Sequence, residues 1–314
     1  MRDESRPELS PEQKERLLAK IKSSKAYARA YQDVEFMGKK DLRPIRLQLE
    51  LQKPEMVLRE HKIRSTIVVF GSARILSPFE ARLQLDIARK QAAAQPGSDA
   101  LRRRVRQAQM RLEQSRYYEE ARRFAALISR AQQNDKSLEF VMVTGGGPGI
   151  MEAANRGAWE LGRKSIGLNI TLPREQNPNP YMTPELSFQF HYFALRKMHF
   201  LMRAKALAVF PGGYGTFDEL FETLTLVQTG KKRPLPIVLF GKEFWERVVD
   251  WQFLAQNGMI SWADARLFKI VEHAEEGWEH IKRFWKRQRE ARRAKPGLSA
   301  DPAEIAEEAE AARE

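Results

Sequence analysis

From residue 65 onward, short apolar runs alternate with longer amphipathic stretches along the chain. Runs rich in Val, Ile, Leu and Phe are typical of strands that are buried on both faces. The runs predict strands at Ser65–Gly71, Phe140–Thr144, Ser165–Ile170, Leu186–Phe190, Ala206–Phe210 and Pro236–Phe240. The stretches between them predict helices at Gly149–Leu161, Phe193–Lys205, Thr216–Thr229 and Glu243–Gln256. This α/β alternation predicts a doubly wound parallel sheet, with a ligand site at the carboxyl ends of its strands.

Other segments flank or interrupt the alternation. Between 78 and 133 the chain is rich in Arg, Gln and Ala, and we expect two long helices joined at Gln95–Gly97. A Pro- and Asn-rich loop is expected at Pro173–Pro184. The predicted domains are a helical N-terminal extension (1–62), a sheet domain (63–285) with a helical insertion at about 80–114, and a charged C-terminal tail (286–314). We interpret the tail as a solvated helix and a frayed terminus, in preference to a contact with nucleic acid or membrane.

Composition narrows the chemistry. The chain has no cysteine, which excludes disulfides, a thiol nucleophile, Cys-ligated zinc and iron–sulfur clusters. Its 54 basic and 41 acidic residues give a net charge of +13, which attracts anions such as phosphorylated metabolites or nucleic acid. No apolar run approaches the roughly 20 residues that span a bilayer, and the charged N-terminus is unlike a secretory signal. We therefore expect a soluble, cytoplasmic protein.

Two predicted strands end in glycine clusters that lead directly into helices. The clusters are TGGGPG at 144–149 and PGGYG at 211–215. Glycines let a ligand approach the backbone closely, and the helix behind each cluster offers unpaired N–H groups that suit a phosphate. The dinucleotide pattern G-x-G-x-x-G fails because Ile150 stands in place of the third glycine, and no Gly-Lys-Ser/Thr completes a P-loop. A single phosphate on a small molecule fits better than NAD or ATP-dependent phosphoryl transfer.

Glu219 follows the second cluster and has two interpretations. Thr216 to Glu219 fits a capping box, in which Thr216 caps the helix and Glu219 bonds back to its backbone N–H. Glu219 also points away from the apolar stripe of its helix, so it can lie at the mouth of the sheet as a catalytic carboxylate. The spacing alone favours neither interpretation.

The helix predicted at Phe193–Lys205 carries a basic face made of Arg196, His199 and Arg203. Such a face is usually solvated. However, this helix precedes the strand that ends at the second glycine cluster, so its N-terminal end can approach the glycine turn. An arginine there can hold a phosphate or a leaving group through two hydrogen bonds.

Four segments resemble the LOG (LONELY GUY) family, whose members have long been labelled lysine decarboxylases. PGGYGTFDE at 211–219 resembles the family's PGGxGTxxE signature, and GGGPGIME at 145–152 resembles its GGGxxGxM turn. FALRKM at 193–198 resembles its RKxxM-type helix, and VFGSAR at 69–74 resembles its first strand and turn. The resemblance implies a Rossmann-like fold, a homodimer or higher oligomer, and hydrolysis of nucleoside 5′-monophosphates to free base and ribose 5-phosphate. The base is a cytokinin in plants and some bacteria, where the reaction serves cytokinin biosynthesis, and many bacterial relatives accept AMP.

The resemblance also implies site residues. Arg196 and Glu219 would be the catalytic pair. The other implied contacts are to the phosphate (Gly146, Gly147, Gly213, Gly215 and Thr216), to the ribose or base (Glu152) and to the base end of the pocket (Ser72). A carboxylate beside the ribose stabilises an oxocarbenium-like state and can orient or deprotonate water, so neither a metal nor a cofactor is required. A decarboxylase would need a Schiff-base lysine or a pyridoxal-phosphate site, and the sequence identifies neither.

We therefore expect a hydrolase of the AMP nucleosidase type that prefers AMP to a cytokinin nucleotide. Compact members of the family lack the N-terminal extension and the Arg-rich insertion. The insertion is expected to be a lid or an oligomer interface, because its low aromatic content suits base stacking poorly. Two alternatives stay open: a non-catalytic nucleotide sensor that relays its state to a partner and, less favoured, a nucleic-acid-binding protein that uses the insertion and the basic tail.

Overall fold

The computed structural model describes residues 8–134, 137–171 and 177–294. Parts of the predicted loop (residues 173–176) and of the predicted tail (from residue 295) lie outside the described residues. Within the described residues, those up to Lys53 form one compact unit and those from Pro54 onward form a second. The central sheet and all the predicted site residues belong to the second unit.

Strands and helices follow one another as the apolar pattern predicts, with ends that shift by a few residues. The strands are β1 (Thr66–Phe70), β2 (Gln133–Asn134), β3 (Ser137–Leu138), β4 (Val141–Thr144), β5 (Ser165–Ile170), β6 (Ser187–Phe190), β7 (Ala204–Val209), β8 (Ile237–Phe240) and β9 (Phe268–Val271). The helices are α1 (Pro11–Lys22), α2 (Val34–Met37), α3 (Arg43–Glu60), α4 (Pro78–Ala94), α5 (Asp99–Gln114), α6 (Arg116–Gln132), α7 (Ile150–Trp159), α8 (Phe193–Met202), α9 (Tyr214–Gln228), α10 (Lys242–Val248), α11 (Trp251–Gln256) and α12 (Ala274–Ala294).

Seven of these strands form one parallel sheet in the order β6-β5-β4-β1-β7-β8-β9. The chain builds outward from β1 through β4, β5 and β6, and then returns to place β7 on the other side of β1. This reversal of direction is a topological switch point, and ligands of such sheets bind in the crevice at the carboxyl ends of the strands beside it. The predicted doubly wound, Rossmann-like α/β fold is confirmed.

The sheet is buried on both faces, which explains why its strands are continuous apolar runs. All five residues of β1 are buried, and alternate side chains enter opposite cores. Ile67 packs in the core that includes residues of α6, α7 and α12, and Val68 packs in the core that includes residues of α8, α9 and α10. Two packed cores fix the sheet, and therefore the backbone at the ends of its strands.

Two predicted helices are divided by local hydrogen bonds. The helical stretch expected between Gly97 and residue 133 is interrupted at Ser115, which lies between the end of α5 and the start of α6 and whose hydroxyl donates to the Leu112 carbonyl at 2.6 Å. The helix expected at 243–256 is interrupted before Trp251, because Asp250 accepts a hydrogen bond from the Phe253 N–H and caps a new helix. Gln114 and Arg116, the residues that flank the interruption at Ser115, line a cavity at the carboxyl ends of the strands.

The C-terminal part of the sheet domain was not predicted. Strand β9 has the sequence FKIV, too short a signal to separate from a loop. It leads into α12, which continues through residue 285 without interruption. Ile281 of α12 is buried in the core, and Trp285 Nε1 donates to the Lys205 carbonyl at 2.9 Å. This helix therefore packs on the sheet up to Trp285, and the following residues to 291 are exposed, as expected for a solvated basic helix.

The insertion forms a helical hairpin of α4 and α5, as predicted. Leu85 and Ala88 of α4 pack against Ala108, Val105 and Leu112 of α5 in a small core of their own. No helix within the described residues is long and apolar enough to cross a membrane.

Candidate active site

A cavity of about 1500 Å³ lies at the switch point of the sheet. It is lined by Gly145 after β4, by Gly71 and Ser72 after β1, and by the second glycine turn after β7. Its volume exceeds the roughly 300–1000 Å³ of most small-molecule pockets. The cavity is therefore large enough to hold a nucleotide and leaves additional space around it.

Helix α9 begins at Tyr214, two residues before the predicted start. Gly213 is its N-cap, and no side chain caps it. The capping-box interpretation of Thr216 and Glu219 is therefore wrong: both lie within the helix, and Thr216 N–H instead donates to the Gly213 carbonyl at 2.9 Å. Capping therefore does not explain Glu219.

The second glycine turn presents a bare backbone to the cavity. The N–H groups of Gly213, Tyr214 and Gly215 donate to no acceptor in the part of the chain that the structure describes. A Cβ built on Gly213 or Gly215 meets nothing within 4 Å, and neither residue has a positive φ. Neither packing nor conformation requires glycine at 213 and 215. What glycine provides there is access to N–H groups at the positive end of a helix, which is the environment of a bound phosphate.

We expect Gly213→Ala to fold with nearly unchanged stability and Gly212→Ala to lose about 1–3 kcal/mol of unfolding free energy. A Cβ at Gly213 points into open space, whereas a Cβ at Gly212 collides with Thr216 Oγ1. Urea unfolding of the two variants beside the wild type measures the difference. Equal losses at the two positions would show that the open space at Gly213 is required by the fold.

Glu219 lines the cavity from inside the first turns of α9 and is only 6 % exposed. Burial raises the pKa of its carboxyl group to about 7, the neighbouring Glu222 and Asp218 add to the rise, and Lys197 and Arg196 oppose it. No hydrogen bond or ion pair within the described chain uses this carboxylate. A buried carboxylate that faces a cavity and titrates near neutral pH is suited to exchange protons or to stabilise a nearby positive charge.

Lys197 holds the acidic side of α9 in place. Its ammonium group pairs with Asp218 and with Glu222, each at 2.9 Å. These two carboxylates lie on either side of Glu219 along the helix, and they leave Glu219 as the acidic group that is not in an ion pair. The arrangement keeps Glu219 available to a ligand.

We expect Glu219→Gln to raise the unfolding free energy at pH 8 and to leave it unchanged near pH 4.5. The carboxyl pKa is about 7 in the folded protein against a reference value of 4.5, so folding binds a proton between these pH values. The ionised carboxylate therefore costs stability above pH 7, up to about 3 kcal/mol, and this cost disappears as the pH falls to 4.5. Urea unfolding at both pH values tests this. Glu222→Gln, which loses the ion pair with Lys197, should show no gain at pH 8.

Arg196 lies on α8 and reaches the cavity under the first glycine turn. Its Nε donates to the Leu168 carbonyl at 2.6 Å, and its guanidinium lies 5.0 Å from the centroid of the Phe200 ring. A Cβ on Gly145 would lie 2.5 Å from Arg196 Nη2, so glycine is needed there to admit the guanidinium. Burial lowers the pKa of Arg196, and the charge of Glu219 opposes the change. The two residues proposed as a catalytic pair thus line the same cavity and interact electrostatically.

The rest of the predicted basic face does not take part in the site. Arg203 Nη2 pairs with Glu55 at 2.6 Å, and His199 Nδ1 lies 3.6 Å from the other oxygen of Glu55. His199 is buried, and Arg203 follows the last residue of α8. The expectation of a solvated face is wrong for these two residues, which bind the end of α3 to α8.

The first glycine turn contributes less to the cavity than the second. Gly146 and Gly147 do not line the cavity. The Gly146 carbonyl accepts a hydrogen bond from the Asn179 backbone N–H at 2.8 Å, and the Gly147 carbonyl accepts one from Asn179 Nδ2 at 3.0 Å. Gly146 has a φ of +71°, and a Cβ there would collide with Asn169, so the fold itself requires glycine. The Ile150 N–H at the start of α7 donates to the Ser72 carbonyl at 3.1 Å. This turn therefore serves mainly to join β4, β1 and α7.

The three remaining predicted residues are placed differently from one another. Ser72 lines the cavity, its N–H donates to the Pro211 carbonyl at 3.0 Å, and its hydroxyl accepts from the Arg74 N–H at 3.0 Å. Glu152 does not line the cavity: its carboxylate accepts a hydrogen bond from the Tyr118 hydroxyl at 2.8 Å and so connects α7 to α6. Thr216 lines the cavity but is 6 % exposed and packs on Gly212.

The residues around the cavity do not suit pyridoxal phosphate. That cofactor needs a lysine for its Schiff base, and none of the described residues lining the cavity is a lysine. The nearest in sequence to the site, Lys197, is held by two carboxylates. The described residues also contain no cluster of three or more His, Asp or Glu side chains that could hold a metal ion.

Comparison with known proteins gives one family match. Residues 151–281, which include Arg196 and Glu219, match the model of the family described as "Possible lysine decarboxylase". A comparison with curated proteins found no match.

Two solved structures show a similarity to this chain. One is the molybdenum cofactor binding protein from the phototrophic bacterium Rippkaea orientalis, at 19 % identity and a TM-score of 0.38, with 54 % of this chain and 87 % of that chain covered. The other is the protein TM1055, at 17 % identity and a TM-score of 0.40, with 70 % of this chain and 99 % of that chain covered.

Proposed function

We propose that this chain hydrolyses the N-glycosidic bond of a nucleoside 5′-monophosphate to free base and ribose 5-phosphate. The match of residues 151–281 to the family described as "Possible lysine decarboxylase" and the resemblance of the motifs to the LOG family support the proposal. One observation carries the proposal. The unused N–H groups at Gly213–Gly215, the buried carboxylate of Glu219 and the guanidinium of Arg196 all belong to one cavity. The N–H groups suit the phosphate, the carboxylate suits the reacting carbon of the sugar, and the guanidinium suits the departing base.

The phosphate binds at the N-terminus of α9. There, Gly213, Tyr214 and Gly215 offer three N–H groups at the positive end of a 15-residue helix. A phosphate held there binds far from the bond that breaks, so its binding energy positions the ribose for the reaction.

Glu219 acts on the ribose and on water. Water attacks the anomeric carbon as the bond to the base nitrogen breaks, and the bonding electrons leave with the base. The ionised carboxylate stabilises the positive charge that develops on the sugar and accepts a proton from the attacking water. A pKa of about 7 leaves a large fraction of Glu219 ionised at neutral pH while keeping it an effective base.

Arg196 completes the site beside the base. The Leu168 carbonyl fixes one edge of its guanidinium, so the remaining N–H groups are directed and do not have to be ordered by the substrate. These groups balance the negative charge that develops on the departing base or hold the base before it leaves.

Chromatographic detection of free base tests the reaction. We expect purified protein to release adenine from AMP and to act on adenosine, which lacks the phosphate, at a rate at least about 10³-fold lower. Gly213→Ala should weaken AMP binding about tenfold or more while the fold is retained, because its Cβ occupies the space beside the phosphate. Equal rates on AMP and adenosine would contradict the assignment of the phosphate to α9.

The same measurement separates an enzyme from a sensor. A folded protein that binds AMP tightly yet releases no base from any nucleoside monophosphate would overturn the hydrolase and support the nucleotide sensor. Release of free base with turnover would exclude the sensor as the sole function.

A further inference from the structure

The inserted hairpin reaches the candidate active site. Met110, Glu113 and Gln114 in the last turns of α5, together with Arg116 and Tyr117 at the start of α6, line the cavity. All five precede the segment that matches the family model. Met110, Glu113 and Gln114 belong to the insertion, and Arg116 and Tyr117 follow at its junction with α6.

The cavity end of the hairpin is firmly held. Tyr117 is 6 % exposed, and a Cβ on Gly241 would lie 2.6 Å from its hydroxyl group. Arg116 Nη2 donates to the same hydroxyl at 2.9 Å, and the buried Ser115 joins α5 to α6. The last turn of α5 is thus fixed against the end of β8.

The two faces of α5 differ in chemistry. Ala108 and Leu112 face α4 in the small core of the hairpin. Met110, Glu113 and Gln114 have the spacing i, i+3 and i+4, so they share one face, and all three line the cavity. Met110 is 58 % exposed there, so its side chain is accessible to a ligand in the cavity.

The polar groups on this face have almost no partners within the described chain. The Gln114 amide forms no hydrogen bond, and the Glu113 carboxylate accepts only a long one, at 3.5 Å, from Gln109. A carboxylate accepts from an exocyclic amine, and an adjacent amide can both donate to a ring nitrogen and accept from an amine. Met110 supplies an apolar, adaptable surface for the face of a base.

We propose that Met110, Glu113 and Gln114 form the base-recognition wall of the cavity, and that this wall selects a base with an exocyclic amino group over the corresponding oxo base. The inference rests on the proposed function for the nucleotide, and it assigns to the insertion the choice of substrate. It makes the insertion a specificity element, a role beyond the lid or oligomer interface that the sequence suggested.

Calorimetric binding of three ligands tests the wall without requiring turnover. AMP and IMP differ in the exocyclic group of the base, amino or oxo, and in the adjacent ring nitrogen, which accepts a hydrogen bond in AMP and carries a proton in IMP; ribose 5-phosphate lacks the base. We expect wild type to bind AMP more tightly than IMP, and Glu113→Gln and Gln114→Ala each to reduce the AMP-to-IMP affinity ratio about tenfold. The affinity for ribose 5-phosphate should stay unchanged. Gln107→Ala is the matched control, because Gln107 is exposed on α5 two turns before Gln114 and does not line the cavity.

Each outcome decides between the two proposals. An unchanged ratio, or an equal loss for all three ligands, would overturn the wall even if AMP is hydrolysed. A ratio that falls in both variants, in protein that releases no base, would support the wall and reject the hydrolase. Failure of wild type to bind any of the three ligands would reject both. Thermal melting of each variant confirms that these exposed positions leave the fold intact.

Discussion

Glu219→Gln is expected to lower the rate of base release from AMP by about 10³-fold while AMP binding changes by less than about threefold. Glutamine fills the same buried space, so the cavity keeps its shape. It carries no charge for the developing cation and accepts no proton from water. The rate falls because the lost interaction is made mainly in the transition state, and binding is nearly kept because the phosphate is held at Gly213–Gly215.

Glu222→Gln is the control for this variant. Glu222 lies three residues further along α9, pairs with Lys197 and does not line the cavity. The same chemical change there should leave the rate within a few-fold of wild type. Equal losses of rate in the two variants would indicate that base release depends on the negative charge of α9 as a whole and that the Glu219 carboxylate has no special role.

The pH dependence follows from the same group. Because burial raises the pKa of Glu219 to about 7, kcat/KM should rise with pH through about 7 and level off above it. Glu219→Gln should lose this step, since no carboxylate is left to ionise. A step at the same pH in the variant would assign the titration to another group, such as the substrate phosphate, whose second pKa is near 6.

Arg196→Lys is expected to lower kcat for base release by about 10²-fold, the second largest effect. The guanidinium donates through Nε to the Leu168 carbonyl and still presents its other N–H groups to the cavity. A lysine ammonium is a point charge, so it cannot make both contacts in the fixed geometry of a fork. Single-turnover rates of base release measure the loss.

The neighbouring arginine of this segment provides the control. Arg203 pairs with Glu55, away from the cavity, so Arg203→Lys should lower stability and leave kcat of the folded protein unchanged. A large loss of kcat in both variants would show that the effect comes from disturbing α8 and not from the group that faces the substrate.

The fold was predictable because its signals are local. Strands buried on both faces must be continuous apolar runs, and the helices between them must be amphipathic, so the sequence alone predicts a doubly wound sheet. The short strand β9 escaped because it has only four residues, of which Lys269 is exposed and Phe268 and Ile270 are half-buried, so its apolar signal is weak. The division at Asp250 escaped because it depends on one side-chain hydrogen bond in an otherwise helical pattern, whereas the junction near Ser115 agrees with the predicted end of the insertion at about 114.

The site was predictable in part. Arg196 and Glu219 were identified by their motifs, and the structure brings both to one cavity with Gly213 and Gly215. Gly146 and Glu152 belong to equally recognisable motifs, yet their contacts are with Asn169 and Tyr118 inside the protein. A motif shows that a residue type is needed, but not whether a ligand or the fold needs it.

The sequence by itself determined the layered fold, the two glycine turns and the residue types suited to a phosphorylated ligand. Tertiary structure alone decided which turn is open, because that depends on whether distant residues such as Asn179 and Ser72 use the backbone groups of the turn. It also decided the pKa of Glu219, which comes from burial between elements far apart in the chain. Last, it placed Met110, Glu113 and Gln114 in the cavity, since the end of α5 is positioned by the long-range packing of Tyr117 against Gly241.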